Sequence, residues 1–124
     1  MFVKGIQHIL IQAKDFEKSL TFYQALLGKP ELVARKKDES HAVFQQGSFK
    51  LILHSTFDNF LDQIKPRGAG IEMQLQVSDV DGFYKHCVGQ GLTGEHQPEN
   101  RGTVRLFHVH DPDGYEWEFA QNIE

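Results

Sequence analysis

The chain alternates in two rhythms, and each change of rhythm marks an element. In "GIQHILIQA", residues 5–13, side chains switch character at nearly every position, as a strand with two unlike faces requires. "KDFEKSLTFYQALLGKP" moves to a helical period. Phe16, Leu20, Tyr23 and Leu27 keep to one side, Asp15 stands as N-cap, and Gly28 with Pro30 supplies the stop. Three short strands are then expected at about 31–36, 41–46 and 48–55, with "QQGS" as a hairpin turn between the last two. After "FDNFLDQIKPRGAG", punctuated by Pro66, Gly68 and Gly70, the order starts again. "IEMQLQV" reads as a strand and "SDVDGFYKHCVGQG" as a capped helix ending near Gly91. Three more strands are expected at about 92–97, 102–110 and 115–121.

Strand, helix and three strands therefore occur twice. Placing His8 on Glu72 sets Ile11 on Leu75, Gln12 on Gln76, Ala13 on Val77 and Asp15 on Asp79. We read this as a duplication, because a repeated order of elements is harder to reach by chance than scattered identities. It predicts an α+β fold of two βαβββ modules. Residues 1–124 form a single domain built of module 1–58 and module 69–124, joined by a connector at 59–68.

Parity sorts the strand faces, since successive side chains point opposite ways. Ile71, Met73, Leu75 and Val77 oppose Glu72, Gln74 and Gln76; Tyr115, Trp117 and Phe119 oppose Glu116 and Glu118. Likewise Ile9, Ile11 and Ala13 oppose His8, Leu10 and Gln12, while Phe49, Leu51 and Leu53 oppose Lys50, Ile52 and His54. The apolar faces belong under the two helices, whose own apolar stripes need covering. The other face could simply be wet. Its mixture of His, Gln and Glu with Leu10 and Ile52 better suits a pocket with apolar walls and a few convergent polar groups.

Composition narrows the function classes. Thirteen Lys and Arg against seventeen Asp and Glu give a net charge of −4, which argues against nucleic acid as the main partner. The lone Cys87 excludes an internal disulfide and fits a reducing, cytoplasmic setting. "MFVKGIQHIL" lacks the apolar region of a signal peptide, and no stretch approaches a membrane span.

Two motifs carry a resemblance. "QHILIQAKDFEKSLTFYQALLG" resembles the opening signature of the vicinal oxygen chelate superfamily, and "DPDGYEWEF" resembles its closing one. That group comprises glyoxalases, bleomycin-resistance and fosfomycin-resistance proteins, an epimerase and extradiol dioxygenases. The resemblance covers nearly the whole chain and is far more specific for fold than for function. It implies mixed sheets curled into a cup, and a homodimer in which each cup combines modules from two chains. It also implies metal ligands on the first and last strands of each module, here His8, Glu72 and Glu118. For the fourth position two candidates stand. Matching "KLIL" to "EWEF" places Ile52 there; keeping the spacing of His8 to Glu72 places His54 there. Alternation cannot choose between them.

The expected activity is that of a small-molecule lyase, isomerase or dioxygenase. A divalent Mn, Fe, Zn or Ni ion held by His8, Glu72, Glu118 and, in one version, His54 would chelate two neighbouring substrate oxygens. Glu118 and Glu72 are the candidate catalytic carboxylates, and Gln74, Gln76, His108 and Ile52 the candidate pocket lining. The alternative is a metal-free drug- or metabolite-binding protein of the bleomycin-resistance type. Glu116 is expected as a rim charge and His110 as a turn cap.

Overall fold

A computed structural model of the chain describes residues 2–56, 71–92 and 94–124. The expected connector at 59–68 lies outside these residues. The chain divides into two compact units, Met1–Ile64 and Lys65–Glu124.

In the first unit the described elements are β1 (His8–Gln12), α1 (Phe16–Leu27), β2 (Leu32–Arg35), β3 (Glu39–Gln46) and β4 (Phe49–Thr56). Asp15 caps α1 by accepting the Lys18 amide at 3.1 Å, and Gly28 ends it at a positive φ of 91°. Phe16, Leu20, Tyr23 and Leu26 are the buried stripe, so Leu26 rather than Leu27 finishes it. The sheet runs β1-β4-β3-β2, with β1 parallel to β4 and the remaining pairs antiparallel. Helix α1 packs on β3 and β4 over Ala42, Phe44, Leu51 and Leu53, all fully buried. Gly47, at φ 59°, turns the expected β3–β4 hairpin.

The second unit repeats the plan: β5 (Glu72–Gln76), α2 (Val80–Gly89), β6 (Glu99–Arg101), β7 (Val104–His110) and β8 (Glu116–Asn122), in the order β5-β8-β7-β6. Asp79 caps α2 through the Gly82 amide at 3.1 Å. A Cβ on Gly82 would collide with that capping carboxylate. The α2 face meets an aromatic layer: Phe83 lies 4.9 Å from Phe119 between ring centroids, and Tyr84 5.3 Å from Phe107. Beneath it Trp117, Phe107 and Phe119 are at most 1 % exposed. Both sheets are mixed, as the α+β reading expects.

One expected strand is wrong. Residues 92–97 form no strand among the described residues, and the first strand after α2 is the short Glu99–Arg101. Gly94 explains the difference. A Cβ there would stand 3.1 Å from the His108 carbonyl and 3.2 Å from that of His96, so the segment passes too close to β7 to run as a pleated neighbour.

Cys87 is completely buried, and burial pushes its thiol up to about 11. In the native chain at pH 8 it is expected to resist a thiol-reactive disulfide reagent, and to react stoichiometrically once denaturant is added. Fast native labelling would contradict its placement. No helix among the described residues is long and apolar enough to cross a membrane.

Candidate functional site

The two units present different polar faces. On the first, His8 and Leu10 are exposed, while Gln12, Ile52 and His54 are half-buried. His54 is already engaged: its Nδ1 lies 2.9 Å from Gln12 Oε1 and its Nε2 3.3 Å from Glu39 Oε2. Glu39 also meets His41 Nδ1 at 3.2 Å.

The pairing register bears on the fourth-position question. In the second unit Glu72 pairs with Glu116, which puts Glu118 opposite Gln74. In the first His8 pairs with Lys50, which puts Ile52 opposite Leu10. With His8 aligned on Glu72, Ile52 is therefore the counterpart of Glu118, and His54 that of Ala120. The first unit has no donor atom at that position.

On the second unit the acidic parity of β8 faces β5 and β7. Its start is set by "HDPDG", where buried Asp111 accepts the amides of Asp113 and Tyr115, each at 2.9 Å, and Gly114 takes a φ of 91°. From this turn the strand places Trp117 and Phe119 toward α2 and Glu116 and Glu118 away from it. Glu118 is only 7 % exposed, and one of its oxygens accepts the Gln74 side-chain amide. The other, Oε1, lies 3.0 Å from His108 Nε2. That same nitrogen is 3.5 Å from Glu116 Oε1 and 3.8 Å from Glu72 Oε2. Three carboxylates thus converge on one imidazole that is itself 6 % exposed.

Such crowding has an electrostatic consequence. Glu72 and Glu116 share a hydrogen bond, which, with burial and the charge of Glu118, raises the Glu72 carboxyl above its ordinary range. The same bond holds Glu116 below its own. A divalent cation could relieve this crowding, for ligand atoms of Glu72, His108 and Glu116 all lie within 4.8 Å of one another. Oxygen donors with one imidazole suit Mn²⁺, Fe²⁺, Zn²⁺ or Ni²⁺.

Several expectations shift. Glu116, read as a rim charge, is instead part of the cluster, because its register opposite Glu72 and His110 holds it beside both. His110 binds carboxylates rather than capping the turn: Nδ1 lies 2.8 Å from Glu95 and Nε2 3.3 Å from Glu116. Gln76 is exposed and pairs in register with Ala120. His108, read as pocket lining, stands at the cluster's centre. His96 escaped the sequence reading altogether. Its Nε2 lies 3.0 Å from His108 Nδ1, brought there by an irregular segment where alternation gives no signal.

With this geometry in place, the chain can be set beside known proteins. The model of the Glyoxalase/Bleomycin resistance protein/Dioxygenase superfamily matches residues 5–119. Lactoylglutathione lyase of Haemophilus influenzae is 26% identical over 127 residues, spanning 94% of this chain and 92% of that protein. The metallothiol transferase FosB of Lysinibacillus sphaericus is 28% identical over 120 residues, spanning 96% and 83%. Among solved structures, TnmS3, an antibiotic binding protein from a Streptomyces species, superposes with a TM-score of 0.77 at 21% identity, covering 98% of each chain.

Proposed function

The chain belongs to the Glyoxalase/Bleomycin resistance protein/Dioxygenase superfamily, and from that premise we propose that it is a small-molecule enzyme that works with a divalent metal ion. One observation carries the reading: Glu72, Glu116 and Glu118 converge on a single imidazole, and their crowding raises the Glu72 carboxyl above its ordinary range. Buried or half-buried carboxylates that crowd in this way are stabilised by a bound cation.

In this reading Glu72 and Glu118 hold the ion. His8 is carried as a further donor on its match to the family's opening signature. When bound, the ion would act as a Lewis acid toward neighbouring substrate oxygens. Glu118, held by Gln74 and His108, keeps a defined orientation and serves as the anchoring ligand. Glu72, nearly half exposed and with its carboxyl raised above its ordinary range, is suited to exchange a proton with substrate at its carboxylate oxygen. Lyase chemistry is favoured by the lactoylglutathione lyase relative, and the names of both relatives point to thiol chemistry, an adduct in one and thiol transfer in the other. Isomerase and dioxygenase chemistry belong to the same superfamily. The proposal includes the homodimer that the family resemblance implies.

A second reading, sequestration of an antibiotic or metabolite without metal, is favoured by the hydrogen bonds that already satisfy Glu118 and by the TnmS3 likeness. Metal analysis decides between the two. The chain purified without chelator, then stripped and titrated with Mn²⁺, Zn²⁺, Fe²⁺ and Ni²⁺, is expected to take up one ion per polypeptide, more weakly in His8→Ala. No saturable uptake would overturn the enzyme reading, and ligand binding that persists under chelation would establish the second.

A further inference from the structure

Hydrogen positions around His108 lead one step further, on the basis of the metal reading above. We propose that His108 is itself a ligand, donating Nε2 from β7 to the ion held by Glu72 and Glu118, and that His96 locks its ring in the tautomer this requires.

The case is one of proton counting. His96 Nδ1 lies 2.7 Å from the carbonyl oxygen of Gln97, which can only accept, so that nitrogen carries a hydrogen. In neutral imidazole the other nitrogen, Nε2, is then a lone pair. It faces His108 Nδ1 at 3.0 Å, so His108 Nδ1 donates. With Nδ1 engaged by His96, Nε2 is the His108 nitrogen left to bind an ion, and this is the atom that three carboxylates surround. Nε2 and carboxylate oxygens at 3.0, 3.5 and 3.8 Å can share one positive centre, a proton in the empty site or a metal ion in the loaded one.

The spacing suits a metal ion in that role. Ligands bonded at about 2.1 Å lie about 3.0 Å apart at right angles and about 3.4 Å apart at the tetrahedral angle. The distance from Nε2 to Glu118 Oε1 is an edge of this length, while Glu72 Oε2 stands at 3.8 Å, within the 4.8 Å span of the cluster. The contact from His108 Nδ1 through His96 to a backbone carbonyl is the buttress that metal-bound histidines characteristically have. Gly94 lets that buttress approach: the Glu95 amide donates to the His108 carbonyl at 3.1 Å, and His96 follows.

The test uses the full chain labelled with ¹⁵N-histidine and titrated with Zn²⁺, with Mn²⁺ affinity measured in parallel by calorimetry. His108 Nε2 is expected to move from its metal-free to a metal-bound chemical shift, and to do so in His8→Ala as well. His108→Gln is expected to weaken Mn²⁺ binding about 100-fold. His96→Phe, which removes only the buttress, should weaken it about 10-fold while the metal stoichiometry holds. If the parent binds metal but the His108 Nε2 signal stays still, His108 is no ligand and the proposal falls while the metal reading stands. If the parent takes up no metal, the metal reading falls first and this proposal with it. The parent's NMR signal decides even if His108→Gln fails to fold.

Discussion

Replacing Glu118 with alanine is expected to abolish divalent-metal uptake and any activity that depends on it, with only a modest loss of stability. Two opposing effects set the second part. The substitution takes an acceptor from the exposed Gln74 amide, which water can replace, and from the buried His108 ring, at a cost of about 1–3 kcal/mol. It also removes one of three converging negative charges. The Glu118 charge helps to raise Glu72, so in the variant the Glu72 carboxyl should titrate closer to its ordinary range. The variant should therefore fold, which separates loss of function from loss of structure. Glu118→Gln keeps the shape and one acceptor oxygen but not the charge; it should lose the metal equally. Calorimetric titration with Mn²⁺ and urea unfolding followed by circular dichroism read the two effects independently. Metal affinity within about threefold of the parent would remove Glu118 from the site, given that even outer-shell changes typically cost 10–100-fold.

Truncating Trp117 to alanine is expected to cost about 3–5 kcal/mol, the largest effect of any single substitution considered for this chain. Trp117 is 1 % exposed and sits between Met73 on β5 and Val109 on β7 in the sheet register. Its removal opens a cavity under α2 that neighbouring rings, already in contact at about 5 Å, cannot close without leaving their own positions. Native domains hold only about 5–15 kcal/mol in total, so most of the margin would go. Trp117→Phe should lose less, because most of the ring volume stays. Trp117 is the sole tryptophan, so the unfolding signal must be far-UV circular dichroism rather than fluorescence. A loss below about 1 kcal/mol would show that the aromatic layer is not packed as described.

The outcome at Trp117 and Glu118 differs although the two are neighbours. Parity assigned one to the core and the other to the opposite face, and the structure agrees, since a strand has only two sides and the aromatic one must find the helix. The capped helices were legible for a similar reason: Asp15 and Asp79 act on amides three residues away, and such local contacts are written in the chain. Glu116 was misjudged because alternation gives a side chain its face but not its neighbours. Only the register opposite Glu72 and His110 puts it in the cluster.

The limits of the linear reading have the same origin. Hydrophobic period, caps and turn chemistry depend on residues within a few positions of one another, so the α+β plan, its duplication and the acidic face of β8 follow from the order of residues. Register does not. Sliding β4 by two residues preserves every inward and outward assignment, and only the hydrogen-bonded ladder distinguishes Ile52 from His54 as the counterpart of Glu118. His96 is a stronger case. It reaches His108 through a segment with no period, admitted by a glycine at close backbone approach, and contacts of that kind exist only once the chain has closed on itself.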